Sequence, residues 1–226
     1  MKPVCIIPAR GSSKRLPRKN ILPVAGEPIL SLTIKSAIKS KCFDQVFVSS
    51  EDDEILEIAA VSGANPFKRD DSLAGDRSTV VEVCLDLLEK LKYDKFCCLY
   101  ATSVLLRWET IVESYKKFHF YLRHDTNVLM GVSKYNYSPV QALKVEKDAS
   151  ARLLYPEFKS IQSQFHPKTR VSNGTFYWSK VSTFFEEKTF YSNKLKIFDV
   201  PEKEVCDIDT MEDYERLLKA FSKNNS

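Results

Sequence analysis

Five cationic side chains lie within ten positions near the start of the chain: Arg10, Lys14, Arg15, Arg18 and Lys19. Small residues lie among and just before them: Ala9, Gly11, Ser12 and Ser13. Small side chains let backbone N–H groups come close to a ligand, as a phosphate-binding loop requires. A triphosphate suits this density of charge, because its own charge must be neutralised before a nucleophile approaches it. A solvated basic loop and a weak nucleic-acid patch are the alternatives.

The position of this loop favours the phosphate interpretation. It follows directly on a predicted buried strand at 4–8, and open α/β sheets bind ligands at the carboxyl ends of their strands. The loop lacks the Gly-Lys-Ser/Thr ending of a P-loop, and it is not a GxGxxG sequence. The sequence therefore argues against a P-loop NTPase and a dinucleotide-dependent dehydrogenase.

Two carboxylates near the far end of the chain, Asp207 and Asp209, are spaced for metal binding. In an extended strand, residues two apart point to the same face. Two carboxylates on one face, opposite a polyphosphate, supply the hard oxygen ligands that Mg²⁺ prefers. Asp209 also precedes Thr210 and a predicted helix, so a helix-capping role is the alternative.

The elements that must position these residues alternate between strands and helices in the first half of the chain. Predicted strands span 4–8, 45–49, 95–99 and 127–132, and predicted helices span 29–40, 52–62, 78–91 and 108–118. Gly63 is placed to end the second helix. This order predicts an α/β fold with three layers around a mostly parallel sheet.

The pattern changes over residues 134–172, where extended polar and aromatic stretches replace helical periodicity. Apolar residues there need a partner: Val140, Leu143, Val145, Leu153 and Leu154. We expect strands that leave the main sheet and form a subunit interface. Strands are predicted again at 174–178 and 194–200, followed by a helix at 210–221 and a frayed tail at 222–226.

Composition limits the function classes. The net charge of +4 is mild, and no basic tail indicates a nucleic-acid partner. No apolar run reaches the length of a membrane-spanning helix, and the first residues are too short an apolar run for a signal peptide. Six cysteines without CxxC spacing predict free thiols in a reducing cytoplasm.

The chain resembles the acylneuraminate cytidylyltransferase family, the CMP-sialic-acid synthetases and their relatives. The resemblance begins at Ile6-Ile7-Pro8-Ala9-Arg10-Gly11-x-Ser13-Lys14-x-x-x-x-Lys19-Asn20. It continues through Gly26-x-Pro28-Ile29, Phe43-Asp44-x-Val46-x-Val48-Ser49-Ser50, Gly63-Ala64 and Arg69-x-x-x-Leu73-Ala74-x-Asp76. It ends with Thr102-Ser103, Asn173-Gly174-x-Phe176-Tyr177 and Asp207-Ile208-Asp209-Thr210. The motifs run in order over nearly the whole chain.

The resemblance implies a Rossmann-like nucleotidyltransferase fold that occupies residues 1–226 as a single domain. Within it, residues 134–172 are implied to be an inserted segment that makes a homodimer and closes the neighbouring active site. The implied reaction transfers CMP from CTP to the anomeric hydroxyl of an acidic nine-carbon sugar, with release of pyrophosphate. The implied cofactor is Mg²⁺.

The resemblance also implies a role for individual residues. The implied nucleotide-binding residues are Ala9, Arg10, Gly11, Ser13, Lys14, Lys19, Asn20, Arg69 and Asp76. The implied substrate-binding residues are Asn20, Tyr100, Thr102, Ser103, Gln164, Arg170 and Asn173. Arg10, Lys19 and Asp209 are the implied catalytic residues, and Asp207 and Asp209 the implied metal ligands. A surface salt bridge is the alternative for Arg69 and Asp76.

Two departures from the family pattern bear on substrate and activity. Tyr100 stands where many relatives have glutamine, and Tyr100-Ala101-Thr102 is similar to the pseudaminic acid branch. Ser163 stands where the family has an arginine, and Arg170 or Lys168 is the expected replacement, with an exposed interface position as the alternative for Arg170. The missing arginine leaves one alternative function, an impaired nucleotide-binding homologue that acts as an interaction or regulatory subunit. A cytidylyltransferase for another acidic sugar, whose family shares the Pro8-Ala9-Arg10 opening, is a separate alternative.

Overall fold

The structure is a computed structural model, and it describes residues 1–224. Its strands are β1 (Val4–Pro8), β2 (Pro23–Val24), β3 (Glu27–Pro28), β4 (Val46–Ser50), β5 (Asn65–Lys68), β6 (Lys95–Leu99), β7 (Val128–Ser133), β8 (Leu143–Val145), β9 (Ala151–Leu153), β10 (Val171–Lys180) and β11 (Leu195–Asp199). Its α-helices are α1 (Ile29–Ser40), α2 (Asp53–Val61), α3 (Val80–Glu89), α4 (Trp108–Leu122), α5 (Val181–Glu187) and α6 (Met211–Asn224). Short 3₁₀ turns, including Lys19–Ile21, connect them.

Seven strands form one twisted sheet in the order β11-β7-β10-β6-β1-β4-β5. β1 lies near the middle and pairs in parallel with β4 and β6. β10 runs antiparallel to both of its neighbours, β6 and β7, while β5 and β11 pair in parallel with theirs. The predicted three-layer α/β fold with a mostly parallel sheet is confirmed.

Strand β1 is buried because its side chains alternate between two hydrophobic clusters. Cys5 and Ile7 face a cluster that includes α1 and α4, and Val4 and Ile6 face a cluster that includes α3 and α5. Both faces of the sheet are therefore covered by helices, as a central parallel strand requires. A third cluster packs α6 against the base of the opening loop, at Leu16 and Leu217.

Most predicted elements occur within a few residues of the predicted bounds, and Gly63, with φ 89°, follows the end of α2 as expected. Strand β5 was not predicted, and β10 is ten residues long where the sequence predicted only 174–178. The predicted frayed tail, 222–226, begins inside α6, which continues to Asn224. The last two residues of that predicted tail, 225 and 226, lie outside the described range. None of the helices described is both long and apolar enough to cross a membrane.

The segment 134–172 forms a small antiparallel hairpin of β8 and β9 outside the main sheet. Apolar side chains on it are exposed, with Leu143 at 57% and Val145 at 65% of their full exposure. The predicted strands that leave the main sheet are present. Whether the segment makes a subunit interface stays a prediction.

Candidate active site

The carboxyl ends of the parallel strands β1, β4 and β6 meet at one edge of the sheet, and the opening loop, residues 9–20, covers that edge. Ala9 is buried and its N–H donates to the carbonyl of Ser49 at 3.0 Å, which extends the β1–β4 ladder. Asn20 closes the loop, because its Nδ2 donates to the carbonyl of Arg10 at 2.9 Å. The sheet therefore fixes the start of the loop, and the Asn20 hydrogen bond ties the end of the loop to that start.

A first cavity of about 310 Å³ opens between this loop and the residues that precede α3. Among its lining residues are seven predicted site residues: Arg10, Lys19, Asn20, Arg69, Asp76, Tyr100 and Thr102. Gly75, Ser78 and Thr79 form the opposite wall, where Thr79 caps α3 through its side-chain oxygen. This cavity combines cations with small polar residues, as a nucleotide site requires.

A second cavity of about 560 Å³ lies next to the first. Its lining residues are Lys19, Tyr100, Thr102, Ser133, Val171, Ser172, Asn173, Gly174, Tyr177, Tyr191, Val205, Cys206, Asp207 and Asp209. Three residues, Lys19, Tyr100 and Thr102, line both cavities. Two ligands that filled these cavities would therefore meet at the ammonium group of Lys19.

Loop cations and the late carboxylates lie together at this meeting point. Lys19 Nζ is 3.0 Å from Asp209 Oδ1 and donates to the carbonyl of Ile208 at 2.8 Å. Arg15 Nη2 is 2.8 Å from Asp209 Oδ2. Asp209 thus neutralises two cations of the opening loop in the free protein.

Helix capping does not explain Asp209. Thr210 and Asp213 cap α6 instead, since Asp213 Oδ2 accepts from the Thr210 N–H at 2.8 Å and from the Asp209 N–H at 3.0 Å. These hydrogen bonds hold the pKa of Asp213 well below its usual range, the bond from the Asp209 amide contributing most. The carboxylate of Asp209 remains directed to the loop cations.

The predicted strand at Asp207 and Asp209 is wrong, because residues 205–209 pair with no strand of the described chain. Ile208 between them is fully buried in the α6 cluster, so the backbone leads into the helix and not into the sheet. Both carboxylates nevertheless line the second cavity. The two carboxylates therefore line the same cavity although they do not lie on one face of a strand.

The donor set can be tested against Mg²⁺ chemistry. Within residues 1–224, no cluster of three or more His, Cys, Asp or Glu side chains is arranged to hold a metal ion. Mg²⁺ is commonly held by one or two carboxylates together with waters and substrate phosphates, so a complete protein cage is not needed. The exposed carboxylate of Asp207 and the partly exposed one of Asp209 fit an ion that a triphosphate helps to hold.

Asp76 and Arg69 differ in environment. Asp76 pairs with Lys14 and, at 3.3 Å, with Arg10, and its pKa is lowered chiefly by the hydrogen bond from Lys14. This exposed ion pair is the kind of surface salt bridge that the sequence offered as the alternative role for Asp76. Arg69 is almost fully buried, and its Nη2 donates to Glu51 Oε2 at 2.6 Å, so the surface alternative is wrong for Arg69.

Tyr100 lies between the two cavities, and its ring is half-buried. Burial raises its pKa, so the phenol stays protonated and donates or accepts as a neutral group. Gly174, with φ 62°, packs against this ring, and a Cβ there would lie 3.2 Å from two ring carbons. Asn173 holds the irregular part of β10, since its Nδ2 donates to Ser133 Oγ at 3.0 Å. The bulge thus requires glycine and shapes the second cavity.

Three predicted substrate-binding residues line neither cavity in the described chain. Ser103 is buried and donates to the carbonyl of Thr175 at 3.1 Å, which is a structural role. Gln164 is exposed and bonds to Gln162 at 2.6 Å. Arg170 pairs with Asp199, and its surface-exposed alternative at an interface stays open. Each of these side chains contacts another residue of the protein, and the sequence pattern did not reveal those contacts.

Four predicted nucleotide-binding residues, Ala9, Gly11, Ser13 and Lys14, do not line the first cavity. The amides of Ala9 and Gly11 are occupied by protein acceptors, Ser49 O and Glu51 Oε1, so the expected open cradle is absent at these two positions of the described loop. Lys14 reaches the cavity rim through its ion pair with Asp76. Their roles in binding stay predictions.

Sequence reasoning missed residues that complete the cavities. Ser78 and Thr79 line the first cavity, and Tyr191 and Cys206 line the second. Ser78 and Thr79 begin the predicted helix 78–91 and lie just before α3 (Val80–Glu89), a position that favours contacts to anions. No signal in the sequence distinguished Tyr191 or Cys206.

Comparison with known proteins agrees with this fold. The structure of CMP:2-keto-3-deoxy-manno-octonic acid synthetase complexed with CTP superposes with a TM-score of 0.76 at 14% identity, covering 99% of this chain and 100% of the other. At that identity the likeness establishes the fold alone, which is that of the nucleotidyltransferases.

Sequence comparison defines the family. Residues 4–225 match the family described as Cytidylyltransferase, and the chain belongs to it. It is 35% identical to the pseudaminic acid cytidylyltransferase of Campylobacter jejuni subsp. jejuni serotype O:2, over 95% of this chain and 94% of that protein. It is 31% identical to the CMP-N,N'-diacetyllegionaminic acid synthase of Legionella pneumophila, over 99% and 98%. The chain is therefore a nucleotidyltransferase of the cytidylyltransferase type.

Proposed function

We propose that this protein transfers CMP from CTP to the anomeric hydroxyl of a nonulosonic acid of the pseudaminic type, with release of pyrophosphate. The observation that carries the proposal is the pair of adjacent cavities that meet at Lys19, Tyr100 and Thr102. CTP occupies the first cavity, and the sugar acid occupies the second.

The charges around the first cavity support a triphosphate. Arg10, Lys19 and Arg69 line it, and buried Arg69 Nε has no acceptor in the described chain. An in-line displacement at the α-phosphorus needs positioned reactants and neutralised charge, not a covalent enzyme intermediate. Arg10 and Lys19 stabilise charge on the phosphates as the pyrophosphate leaves.

The second cavity supports an acidic sugar. Lys19 supplies positive charge for a carboxylate, and Thr102 and Asn173 supply polar groups in the lining, while Asn20 lines the adjacent first cavity. Tyr100 adds an aromatic wall where many relatives have glutamine. Relatives named for pseudaminic and diacetyllegionaminic acids are 35% and 31% identical to this chain. Both observations favour an acylamino nonulosonic acid.

Asp207 and Asp209 are the residues that would hold Mg²⁺. The ion would neutralise the phosphates and help to orient the attacking hydroxyl. In the free protein Asp209 pairs with Lys19 and Arg15. If its carboxylate held the ion, both side chains would be free to pair with the phosphates of the nucleotide.

We further propose that the protein is a cytoplasmic homodimer joined through the segment 134–172. The exposed apolar side chains of Leu143 and Val145 on β8, and of Leu154 just after β9, support an interface there. The cysteines support a reducing compartment, because all six are free and five are buried.

A sugar panel tests the function. Pyrophosphate release is measured with CTP, Mg²⁺ and pseudaminic, diacetyllegionaminic, N-acetylneuraminic or 2-keto-3-deoxy-octonic acid. We expect the highest kcat/KM with pseudaminic acid. Binding of CTP without turnover on any sugar would instead support the regulatory alternative, and preference for the octonic acid would support the alternative acidic sugar.

A further inference from the structure

Two consecutive acidic residues, Glu51 and Asp52, follow the carboxyl end of β4 and hold opposite parts of the opening loop. Glu51 Oε1 accepts from the Gly11 N–H at 2.7 Å, near the start of the loop. Asp52 pairs with the guanidinium of Arg18, near its end. Neither acid lines the first or the second cavity.

Glu51 also fixes the wall of the first cavity. Its second carboxylate oxygen, Oε2, accepts from Arg69 Nη2 at 2.6 Å, and Arg69 Nη1 donates to the carbonyl of Ser49 at 3.3 Å. The Glu51 side chain is mostly buried, with 14% exposed, so its charge acts with little screening by water. One carboxylate thus sets the position of a loop amide and of a buried cation relative to each other.

Asp52 is held as firmly. Its Oδ1 accepts from the Ile55 N–H at 3.1 Å and caps α2, and its own N–H donates to Ser50 Oγ at 3.1 Å. The hydrogen bond from Arg18 lowers the pKa of Asp52, so this carboxylate stays charged at neutral pH. Arg18 has φ 58° and precedes the 3₁₀ turn Lys19–Ile21, which carries the lysine shared by both cavities.

The close packing of the loop against Asp52 explains Gly11. A Cβ on Gly11 would lie 2.3 Å from Asp52 Oδ2, well inside van der Waals contact. Glycine is therefore required there by the approach of a protein carboxylate, in addition to any need of a ligand.

We propose that Glu51 and Asp52 are positioning residues for the nucleotide site: together they form an acidic clasp that fastens the start and the end of the opening loop to the rigid end of β4. The proposal rests on the function proposed above, since it assigns the clasp to CTP binding. Without the clasp the loop samples other conformations, and CTP must bear the cost of ordering it. Because neither acid lines the second cavity, the clasp does not act directly on the sugar bound there.

Asp52→Asn tests the clasp while preserving the helix cap, because asparagine caps helices as well as aspartate does. Loss of one charge-assisted pair is expected to weaken CTP binding about fivefold to tenfold, as isothermal titration measures in the absence of sugar. The matched control is Asp53→Asn, whose carboxylate is 90% exposed and pairs only with Lys68 among the contacts of the described chain. The control is expected to bind CTP as the wild type does.

Hydrogen exchange of the ligand-free protein tests the same claim without CTP. Asp52→Asn is expected to speed amide exchange in peptides that cover residues 10–20 and to leave the peptides of β1 and α2 unchanged. A purely structural role would instead raise exchange in α2 or lower the thermal midpoint. Either of those results, or wild-type exchange in the loop, overturns the clasp, whether or not the wild type binds CTP.

A double-mutant cycle assigns the effect to the pair. Arg18→Met is expected to weaken CTP binding by a similar factor, and Arg18→Met combined with Asp52→Asn is expected to be no weaker than the weaker single variant. Additive losses would mean that the two side chains act separately, which contradicts the proposal.

Discussion

Asp209 forms ion pairs with two cations of the opening loop, with Lys19 at 3.0 Å and with Arg15 at 2.8 Å. It also lines the cavity proposed for the sugar. A carboxylate in this position does two things. It neutralises the two cations in the free protein, where Lys19 is mostly buried and Arg15 mostly exposed. It would offer an oxygen ligand to a metal ion once a triphosphate pairs with those cations.

Asp209→Asn tests that assignment. The amide keeps the shape but loses the charge, so Mg²⁺-dependent pyrophosphate release is expected to fall by about 100-fold or more. The thermal midpoint is expected to stay close to that of the wild type. Asp125→Asn is the matched control, because Asp125 is also paired to a lysine but lies on neither cavity. Wild-type turnover in Asp209→Asn would remove this residue from the mechanism.

At the residue level, sequence reasoning predicted the side chains whose positions could be inferred from the ends of the predicted strands. Lys19 and Asp209 were predicted because a basic loop after a buried strand and a late pair of carboxylates suit one polyphosphate. The contacts of Arg170 and Gln164 could not be predicted, since they depend on how the segment 134–172 folds back on β11 or on itself. Glu51 was missed because an acid beside a phosphate site does not look like a binding residue.

At the scale of elements, the start of α6 carries the residues that orient Asp209. Thr210 and Asp213 form a reciprocal cap, with Asp213 N–H donating to Thr210 Oγ1 at 3.3 Å and Asp213 Oδ2 accepting three hydrogen bonds. The cap therefore sets the backbone that leads from Asp207 to the helix.

Asp213→Ala removes this cap and is expected to lower the free energy of unfolding by about 1 kcal/mol at neutral pH. The folded-state pKa of Asp213 is depressed, so its stabilisation is present above the ordinary carboxyl pKa of about 4 and is lost as pH falls below it. Urea unfolding at pH 7 and pH 3 should show a smaller difference between variant and wild type at pH 3. Glu212→Ala, an exposed change in the same turn, is the control; an equal loss in both variants would contradict the cap.

The elements themselves were predictable where periodicity is strong. α1 and β6 were predicted with the bounds that the structure has. β5 was missed, because Asn65-Pro66-Phe67-Lys68 has no alternation and is a strand only by pairing with β4 at the sheet edge, where proline is tolerated. β10 was predicted too short, because its full length is set by partners on both sides.

At the scale of the whole molecule, the sheet type was predictable but the strand order was not. Alternating strands and helices predict a parallel sheet, whereas the insertion of antiparallel β10 between β6 and β7 depends on contacts far apart in sequence. That insertion matters for function, since β10 carries Asn173 and Gly174 to the second cavity.

The proposed dimer can be tested on the hairpin of β8 and β9. Val145→Asp places a charge on an exposed apolar position and is expected to convert a dimer to a monomer in analytical ultracentrifugation. Turnover is expected to fall with it, because the segment is proposed to close the neighbouring site. Val61→Asp is the control, since Val61 is 86% exposed on α2, outside the segment. A wild-type molecule that is monomeric at all concentrations, or a dimeric Val145→Asp, would contradict the proposed interface.

Conversion of CTP with pseudaminic acid, followed by ³¹P NMR, tests whether CMP is transferred to the sugar acid. We expect the three resonances of CTP to be replaced by one phosphodiester resonance and by pyrophosphate in equal molar amounts, and only when sugar and Mg²⁺ are both present. Unchanged CTP, or its conversion to CDP and inorganic phosphate, would contradict the transfer of CMP to a sugar acid.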